Sequence, residues 1–209
     1  MKQVMDKLKE IAIKNKKLIL FLLGIGFIGF ISGTIYITII TETDQTLVKN
    51  YIINFISQIE NHKLNYLNSY KNAFFSNIIF MITIWILGMS VIGIPINIFL
   101  YFSKNFMLGF SISSFILQYK TKGCMLALLY IFPHHIINTI IYTIIILLSI
   151  NFSKRIINLI KNKKPTSLQN TFKRYTIIFI LCIIIIAISN LLEIFVTPFL
   201  IEKILFIIK

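Results

Sequence analysis

The sequence predicts an all-α, polytopic transmembrane helical bundle of about five spans with interrupted helices. Hydrophobic residues make up 57% of the 209 residues, charged residues only 13%, and the mean hydropathy is +0.85. The hydrophobic residues form runs of membrane-spanning length, and the charges fall between these runs in alternating basic and neutral segments. So few charges cannot cover a water-facing surface, which excludes a soluble enzyme, a disordered chain and a secreted disulfide scaffold.

The basic charge indicates orientation in the membrane and not nucleic-acid binding. The formal net charge of +14 is concentrated in two segments. Residues 1–17 carry six lysines against two acids, and residues 151–175 carry seven cations and no acid, whereas residues 41–72 are neutral. By the positive-inside rule, we expect the amino terminus and the 151–175 loop in the cytoplasm and residues 41–72 outside. The lipid bilayer is therefore an expected partner, and nucleic acid is not.

The first span is predicted over residues 18–40, which contain no charge. The run is too long for a cleaved signal peptide and ends without a small-residue cleavage pattern, so we expect a retained anchor. Gly29 and Gly33 lie four residues apart within it. This spacing lets another helix approach closely, which makes both glycines candidates for partner contact or packing.

The outer loop, residues 41–72, is predicted to contain an amphipathic helix. Apolar residues recur at helical spacing from Val48 to Ile59, with polar residues between them. Two interpretations stay open: a helix lying on the bilayer or on the protein's own spans, or a docking face for a partner.

Residues 73–150 predict a core of three spans with breaks at Gly93/Pro95 and Pro133. Gly88 and Gly93 weaken the first helix, and Pro95 kinks or ends the helix before it because proline lacks a backbone donor.

The third apolar run of the chain, Phe106 to Leu117, follows Lys104 and is short. It is predicted either to cross the membrane or to form a re-entrant segment. Beyond the basic loop at 151–175, the last span begins near Tyr175, and the carboxyl-terminal part of residues 175–209 is predicted to lie at the interface.

Polar residues interrupt the fourth apolar run directly after Pro133. His134, His135 and Asn138 lie there at predicted membrane depth, where ionisable groups are costly and often functional. Three interpretations stay open: neutral, hydrogen-bonded histidines at a helix break, a conformational or partner contact, or a metal or proton path.

Enzyme and cofactor motifs are weak or absent. Ser90 lies among glycines and invites comparison with a serine hydrolase using His134 as its base, but packing is the better interpretation of such a residue. The chain's two aspartates precede and follow the first span, which excludes an aspartyl intramembrane protease. Cys124 and Cys182 lie in separate apolar runs and predict neither a disulfide nor a metal site. We expect no catalytic residue, metal or cofactor.

The block from Trp85 to Phe110 resembles the stage II sporulation protein M family. In that family the block consists of an interrupted helix, then a lysine, then a Phe-x-x-Gly-Phe turn. In this sequence the lysine is Lys104, and the glycine of the turn is Gly109. Pro133 and His134 are similar to the Pro-His-Gly-x-x-Glu segment of the wider superfamily, with Asn138 in place of the glutamate.

The resemblance implies a non-enzymatic scaffold in the mother-cell membrane at the sporulation septum. Such a scaffold recruits single-span peptidoglycan hydrolases, the stage II sporulation proteins P and D, for wall remodelling and engulfment. The alternative is a small-solute or ion transporter component that uses the broken helices with His134 and His135. The candidate partner or packing residues are Gly29, Gly33, Trp85, Gly88, Gly93, Pro95, Lys104, Gly109, Pro133, His134 and Asn138.

Overall fold

The computed structural model describes residues 15–61, 65–130, 132–162 and 168–196, and within these ranges the chain forms helices and no strand. The helices are α1 (Lys16–Ile39), α2 (Glu42–Glu60), α3 (Tyr66–Gly88), α4 (Gly93–Tyr130), α5 (Phe132–Asn162) and α6 (Leu168–Leu191), which continues into a π-helical turn (Leu192–Val196). The predicted all-α fold is confirmed. The predictions for residues 1–14 and for the interfacial segment from residue 197 onward lie outside the described residues.

Four of the helices are long and apolar enough to cross a membrane. They cover Lys16–Ile39, Leu67–Gly88, His134–Lys161 and Gln169–Phe195. Many of their outward side chains are large and apolar, which suits contact with lipid. The polytopic helical bundle predicted from composition is therefore confirmed.

Helix α4 has its polar residues inside and its apolar residues outside. Its buried stripe recurs at every fourth residue and consists of small or polar residues: Gly93, Asn97, Tyr101, Asn105 and Gly109. Its exposed side carries large apolar side chains such as Phe99 and Met107. This pattern is typical of a membrane helix that directs its polar stripe at neighbouring helices.

Helix α4 continues through Lys104, the residue that precedes the third apolar run of the sequence. Residues 105–119 belong to the same helix, and the non-helical residue within α4 is Lys120, with φ 52° and ψ −126°. They therefore do not form a separate short segment. The helical stretch from residue 93 to 119 is roughly 40 Å long, sufficient to cross the hydrocarbon core.

The break predicted between α3 and α4 is present. Helix α3 ends at Gly88, and α4 begins at Gly93 after a short turn. A Cβ atom at Gly93 would overlap the carbonyl oxygen of Leu87, so the turn requires glycine there. Pro95 lies in the first turn of α4, where its missing N–H group costs no helical hydrogen bond.

The five long helices alternate in direction along the chain. Helices α3 and α5 run one way, and α1, α4 and α6 run the other. The start of α1, the α3–α4 turn, the end of α5 and the start of α6 thus share one end of the bundle, here called the basic end. Helix α2 lies at the opposite end, here called the α2 end.

The glycines of α1 pack against α4 within the same chain. A Cβ atom at Gly29 would lie 2.7 Å from the carbonyl oxygen of Phe102, and one at Gly33 would overlap that of Phe106. On the other side of the contact, Gly109 approaches the backbone of Phe30 in the same way. The glycine face of α1 is therefore occupied by α4, and a partner helix would need another surface.

Helix α2 rests on the protein's own helices. Its residues Ile52, Ile56 and Ile59 are buried in a cluster with Phe115 and Leu126 of α4. The two α4 residues meet because the chain folds back at Lys120, where Gly123 lies directly against the backbone of Phe115. This agrees with the first of the two interpretations of the outer loop.

Candidate functional site: a charged cavity between the helices

Two groups of polar residues lie between the helices. Members of the first group bond directly to one another or to the backbone of a neighbouring helix. Asn97 is fully buried, and its Nδ2 atom donates to the Ser149 hydroxyl at 2.7 Å and to the Ile84 carbonyl at 3.2 Å. These bonds join α4 to α5 and α3 close to the basic end. We call this group the closed polar layer; its members are Gly88, Asn97, Ser149, Ser153 and Tyr175.

Other members of the closed polar layer also form hydrogen bonds between helices. The Ser153 hydroxyl donates to the carbonyl of Gly88 at 2.8 Å, and the Tyr175 hydroxyl donates to the carbonyl of Trp85 at 3.2 Å. The ring of Trp85 stacks on Tyr175 and on Phe179, with centroids 6.3 and 5.2 Å away. Trp85 and Gly88 are thus packing positions of the fold.

The second group surrounds a cavity of about 170 Å³ and includes ionisable side chains. Helices α3, α4 and α5 and the π-helical turn after α6 each contribute to its wall. We call it the charged cavity; its polar lining includes Asn77, Lys104, His134, His135, Asn138, Tyr142 and Glu193.

His134 and Glu193 form an ionisable pair in the charged cavity. His134 Nε2 lies 3.6 Å from Glu193 Oε1, and the side chains are 5% and 20% exposed. The Ser189 hydroxyl donates to the carbonyl of His134 at 3.3 Å, which holds α6 against the start of α5. The π-helical turn that carries Glu193 is a distortion often found at functional sites.

Glu193 is a site residue that the sequence analysis did not single out, because a charge after a long apolar run usually marks the end of a span. The helix does not end before it, since α6 continues into the π-helical turn and the span-like segment reaches Phe195. A signal was present in the sequence. Ser189, Asn190 and Glu193 repeat at helical spacing and mark a polar stripe on α6.

Lys104 enters the charged cavity from α4 and lies over aromatic rings. Its Nζ atom is 4.7 Å from the ring centroid of Phe80 and 5.9 Å from that of Tyr142. The two rings meet edge to face, with centroids 4.8 Å apart. Their π faces stabilise the ammonium group inside the bundle, where water is scarce.

A chain of hydrogen bonds forms one wall of the charged cavity. The Tyr142 hydroxyl donates to Asn77 Oδ1 at 2.9 Å, and Asn77 Nδ2 donates to Asn190 Oδ1 at 2.9 Å. Helices α3, α5 and α6 are thereby held in register. Asn138 is 3% exposed, and its Oδ1 atom has no hydrogen-bond partner among the described residues. That oxygen is an acceptor available to something entering the cavity.

A larger and mostly apolar groove of about 480 Å³ lies toward the α2 end and shares part of its lining with the charged cavity. The shared residues are His134, His135 and Glu193. The apolar walls come from α2, including Leu47 and Tyr51, and from α4. We call this the α2 groove. It brings apolar walls and ionisable groups into one site, the combination typical of ligand and peptide sites.

The arrangement can carry a proton or hold a charged group, but two other chemistries lack support. Among the described residues, no group of three His, Cys, Asp or Glu side chains is placed to hold a metal ion. Ser90 and His134 also lie far apart. The Ser90 carbonyl accepts a hydrogen bond from Ser153, which is roughly 28 Å from His134 along α5. Those two residues therefore cannot form a nucleophile and base pair.

The structure brings together some of the predicted site residues and separates others. Lys104, His134 and Asn138 meet in the charged cavity, together with His135 and the unpredicted Glu193. The rest lie where helices pack or turn, in the α1–α4 contact, the closed polar layer, the α3–α4 turn and the first residues of α5: Gly29, Gly33, Gly109, Trp85, Gly88, Gly93, Pro95 and Pro133.

The fold and the site define a multi-pass membrane protein whose helices enclose a charged cavity. The family described as Stage II sporulation protein M matches residues 11–198. The chain therefore belongs to this family and is a sporulation-related membrane protein, which confirms the resemblance seen in the sequence. No curated protein and no solved structure matches the chain.

Proposed function

We propose that the protein is a non-enzymatic membrane scaffold that recruits and localises peptidoglycan hydrolases during sporulation. The hydrolases are the single-span stage II sporulation proteins P and D. The site of action is the mother-cell membrane at the septum, where wall remodelling allows engulfment of the forespore. The observation that carries the proposal is the family match across residues 11–198.

The charge distribution supports an orientation suited to this role. The described cations of the 151–175 loop and the start of α1 lie at the basic end, which the positive-inside rule places in the cytoplasm. Glu42 and Asp44 lie at the start of α2, at the other end. In this orientation the α2 groove opens on the side of the membrane where the cell wall lies.

We place the contact with the hydrolases in the α2 groove. Leu47 and Tyr51 are 66% and 76% exposed on its rim, although both are large and apolar. A single-span partner emerges from the membrane at this level, and the amphipathic segment that follows its span would bury both side chains. His134 and Glu193 offer polar groups at the inner wall of the groove, which fix the register of a bound segment.

The test is a mild-detergent pull-down of the tagged protein from sporulating cells, with partners identified by mass spectrometry. The wild-type protein is expected to recover proteins P and D. The double variant Leu47→Ser, Tyr51→Ser should recover at least about fivefold less of each, since an interface anchor contributes more than about 1 kcal/mol.

A matched control lies on the same helix. Ile53 is 39% exposed and is not part of the α2 groove, so Ile53→Ser should recover both hydrolases like the wild type. Failure of the wild-type protein to recover either hydrolase would overturn the scaffold proposal. Normal recovery by the Leu47, Tyr51 double variant would instead overturn the placement of the contact.

A transporter component is the second candidate, because ionisable residues line a cavity between the helices. Lys104, His134 and Glu193 are the groups that ion or proton coupling would use. In purified proteoliposomes, this candidate predicts solute or ion uptake that the double variant His134→Asn, His135→Asn abolishes. Vesicles with wild-type protein that take up no more than empty vesicles would exclude it for the solutes and ions tested.

A further inference from the structure

A cavity of about 500 Å³ lies at the basic end, away from the charged cavity and the α2 groove. It is formed where the start of α1 meets the second half of α5 and the first half of α6. Lys154, Arg155 and Arg174 contribute cationic side chains to its lining, and Leu148 and Ile178 contribute apolar ones. We call it the basic cavity.

We propose that the basic cavity binds an anionic phospholipid, with the headgroup phosphate at the three cations and an acyl chain along Leu148 and Ile178. The proposal is independent of the scaffold function, since it rests on the charge, the hydrogen bonding and the position of this cavity alone.

Charge is the first argument. The three cations come from two different helices and meet at one cavity. The acidic residues of the described chain are the three in α2, near the opposite end of the bundle, and Glu193 in the charged cavity. No carboxylate of the described residues is therefore near enough to neutralise the basic cavity. A phosphate group carries the negative charge that such a cluster of cations attracts.

Geometry at Arg155 is the second argument. Its Nη1 atom donates to the Thr171 hydroxyl at 2.6 Å, which holds the guanidinium of α5 against α6. This bond uses one of the five N–H donors of the guanidinium. A guanidinium held in place loses less conformational entropy when it binds, and its planar fork suits two phosphate oxygens.

The position of the cavity favours a lipid over free phosphate. Leu148 and Ile178 belong to the span-like segments His134–Lys161 and Gln169–Phe195, whereas the three cations lie nearer the basic end. The cavity therefore extends from the polar boundary of the membrane into its apolar part. Free phosphate would gain nothing from the apolar residues, but a phospholipid contacts both regions.

The experiment uses the full chain, delipidated in a non-ionic detergent and titrated with cardiolipin, phosphatidylglycerol, phosphatidylcholine or inorganic phosphate. Bound lipid is measured by native mass spectrometry and stability by the melting temperature. Both anionic lipids should bind and raise the melting temperature. Phosphatidylcholine and inorganic phosphate should do neither at the same concentrations.

A matched pair of double variants separates a built site from general surface attraction. Arg155→Gln with Arg174→Gln should weaken binding of the anionic lipids about thirtyfold, which is about 1 kcal/mol for each cation. Lys161→Gln with Lys173→Gln removes the same charge from exposed residues that do not line the cavity, and should change binding by less than about threefold.

Three results would overturn the proposal: equal losses in the two double variants, inorganic phosphate competing with the lipid at similar concentration, or no anionic lipid retained by the wild-type protein. If Arg155→Gln prevents folding, Arg174→Gln alone serves as the test. It leaves the bond between Arg155 and Thr171 in place and should weaken binding about fivefold.

Discussion

The closed polar layer and the charged cavity lie in the same helical bundle, yet their polar groups meet different surroundings. In the closed polar layer, Asn97 bonds to neighbours at 2.7 and 3.2 Å, and small residues such as Gly88 bring the helices together. In the charged cavity, Lys104, His134 and Glu193 surround a space of about 170 Å³.

The difference shows which polar residues serve the fold. Buried polar groups that hydrogen-bond from one helix to another stabilise the bundle and hold its helices in position. Ionisable groups that face a cavity cost desolvation free energy and do not bring the helices into direct contact. We therefore assign the closed polar layer to stability and the charged cavity to function.

The largest effect on stability is expected at Gly88. A Cβ atom there would overlap the hydroxyl groups of Ser149 and Tyr175, so Gly88→Leu forces the helices of the closed polar layer apart. We expect a loss of about 3 kcal/mol or more, seen as little folded protein in the membrane and a low melting temperature in detergent. Gly24→Leu is the control, because a Cβ atom at Gly24 meets nothing within 4 Å. Equal tolerance of both variants would contradict close packing at this layer.

A smaller effect is expected from Asn97→Leu. It removes the hydrogen bonds to Ser149 and to the Ile84 carbonyl, and interhelical bonds in membranes are worth about 0.6 kcal/mol each. The free energy of unfolding should fall by about 1 kcal/mol. Thr83→Val, which removes a bond within one helix at an exposed position, should change it by less than about 0.5 kcal/mol. Asn97→Leu protein as stable as the wild type would mean that the layer does not contribute to stability.

The smallest effect tests whether the charges of the cavity interact. Lys104 and Glu193 line the same cavity and can carry opposite charges. In a double-mutant cycle, the free energy of unfolding of the combined Lys104→Met, Glu193→Gln variant should fall by about 0.5–1 kcal/mol less than the sum of the losses in the two single variants. Simple additivity in the melting temperatures would show that the two charges act independently.

Local sequence signals were enough to predict much of the fold. Long uncharged runs identify spans whatever their neighbours are, and Gly88, Gly93 and Pro95 end a helix for reasons contained in their own backbones. The charged cavity was only partly predictable. His134 and Asn138 stand out because they interrupt an apolar run, and Lys104 was identified through the family resemblance.

The missed features depend on contacts between residues far apart in the sequence. Lys104 separates two apolar runs in the sequence, but α4 passes through it because the rings of Phe80 and Tyr142 accommodate its ammonium group. In the sequence, Glu193 marks the end of a span. Its role in the cavity is visible only in the fold, which brings it beside His134 at the start of the preceding helix. Gly33 indicates close helix packing, although only the fold shows that α4 is the helix it meets.

The assignment of the charged cavity to function is tested most directly by measuring engulfment and membrane protein level in the same sporulating cells. The double variant His134→Asn, Glu193→Gln should accumulate like the wild type and yet fail in engulfment. Asn97→Leu should lose engulfment only in proportion to the protein lost from the membrane. Normal engulfment by the His134, Glu193 double variant at a normal protein level would contradict the account.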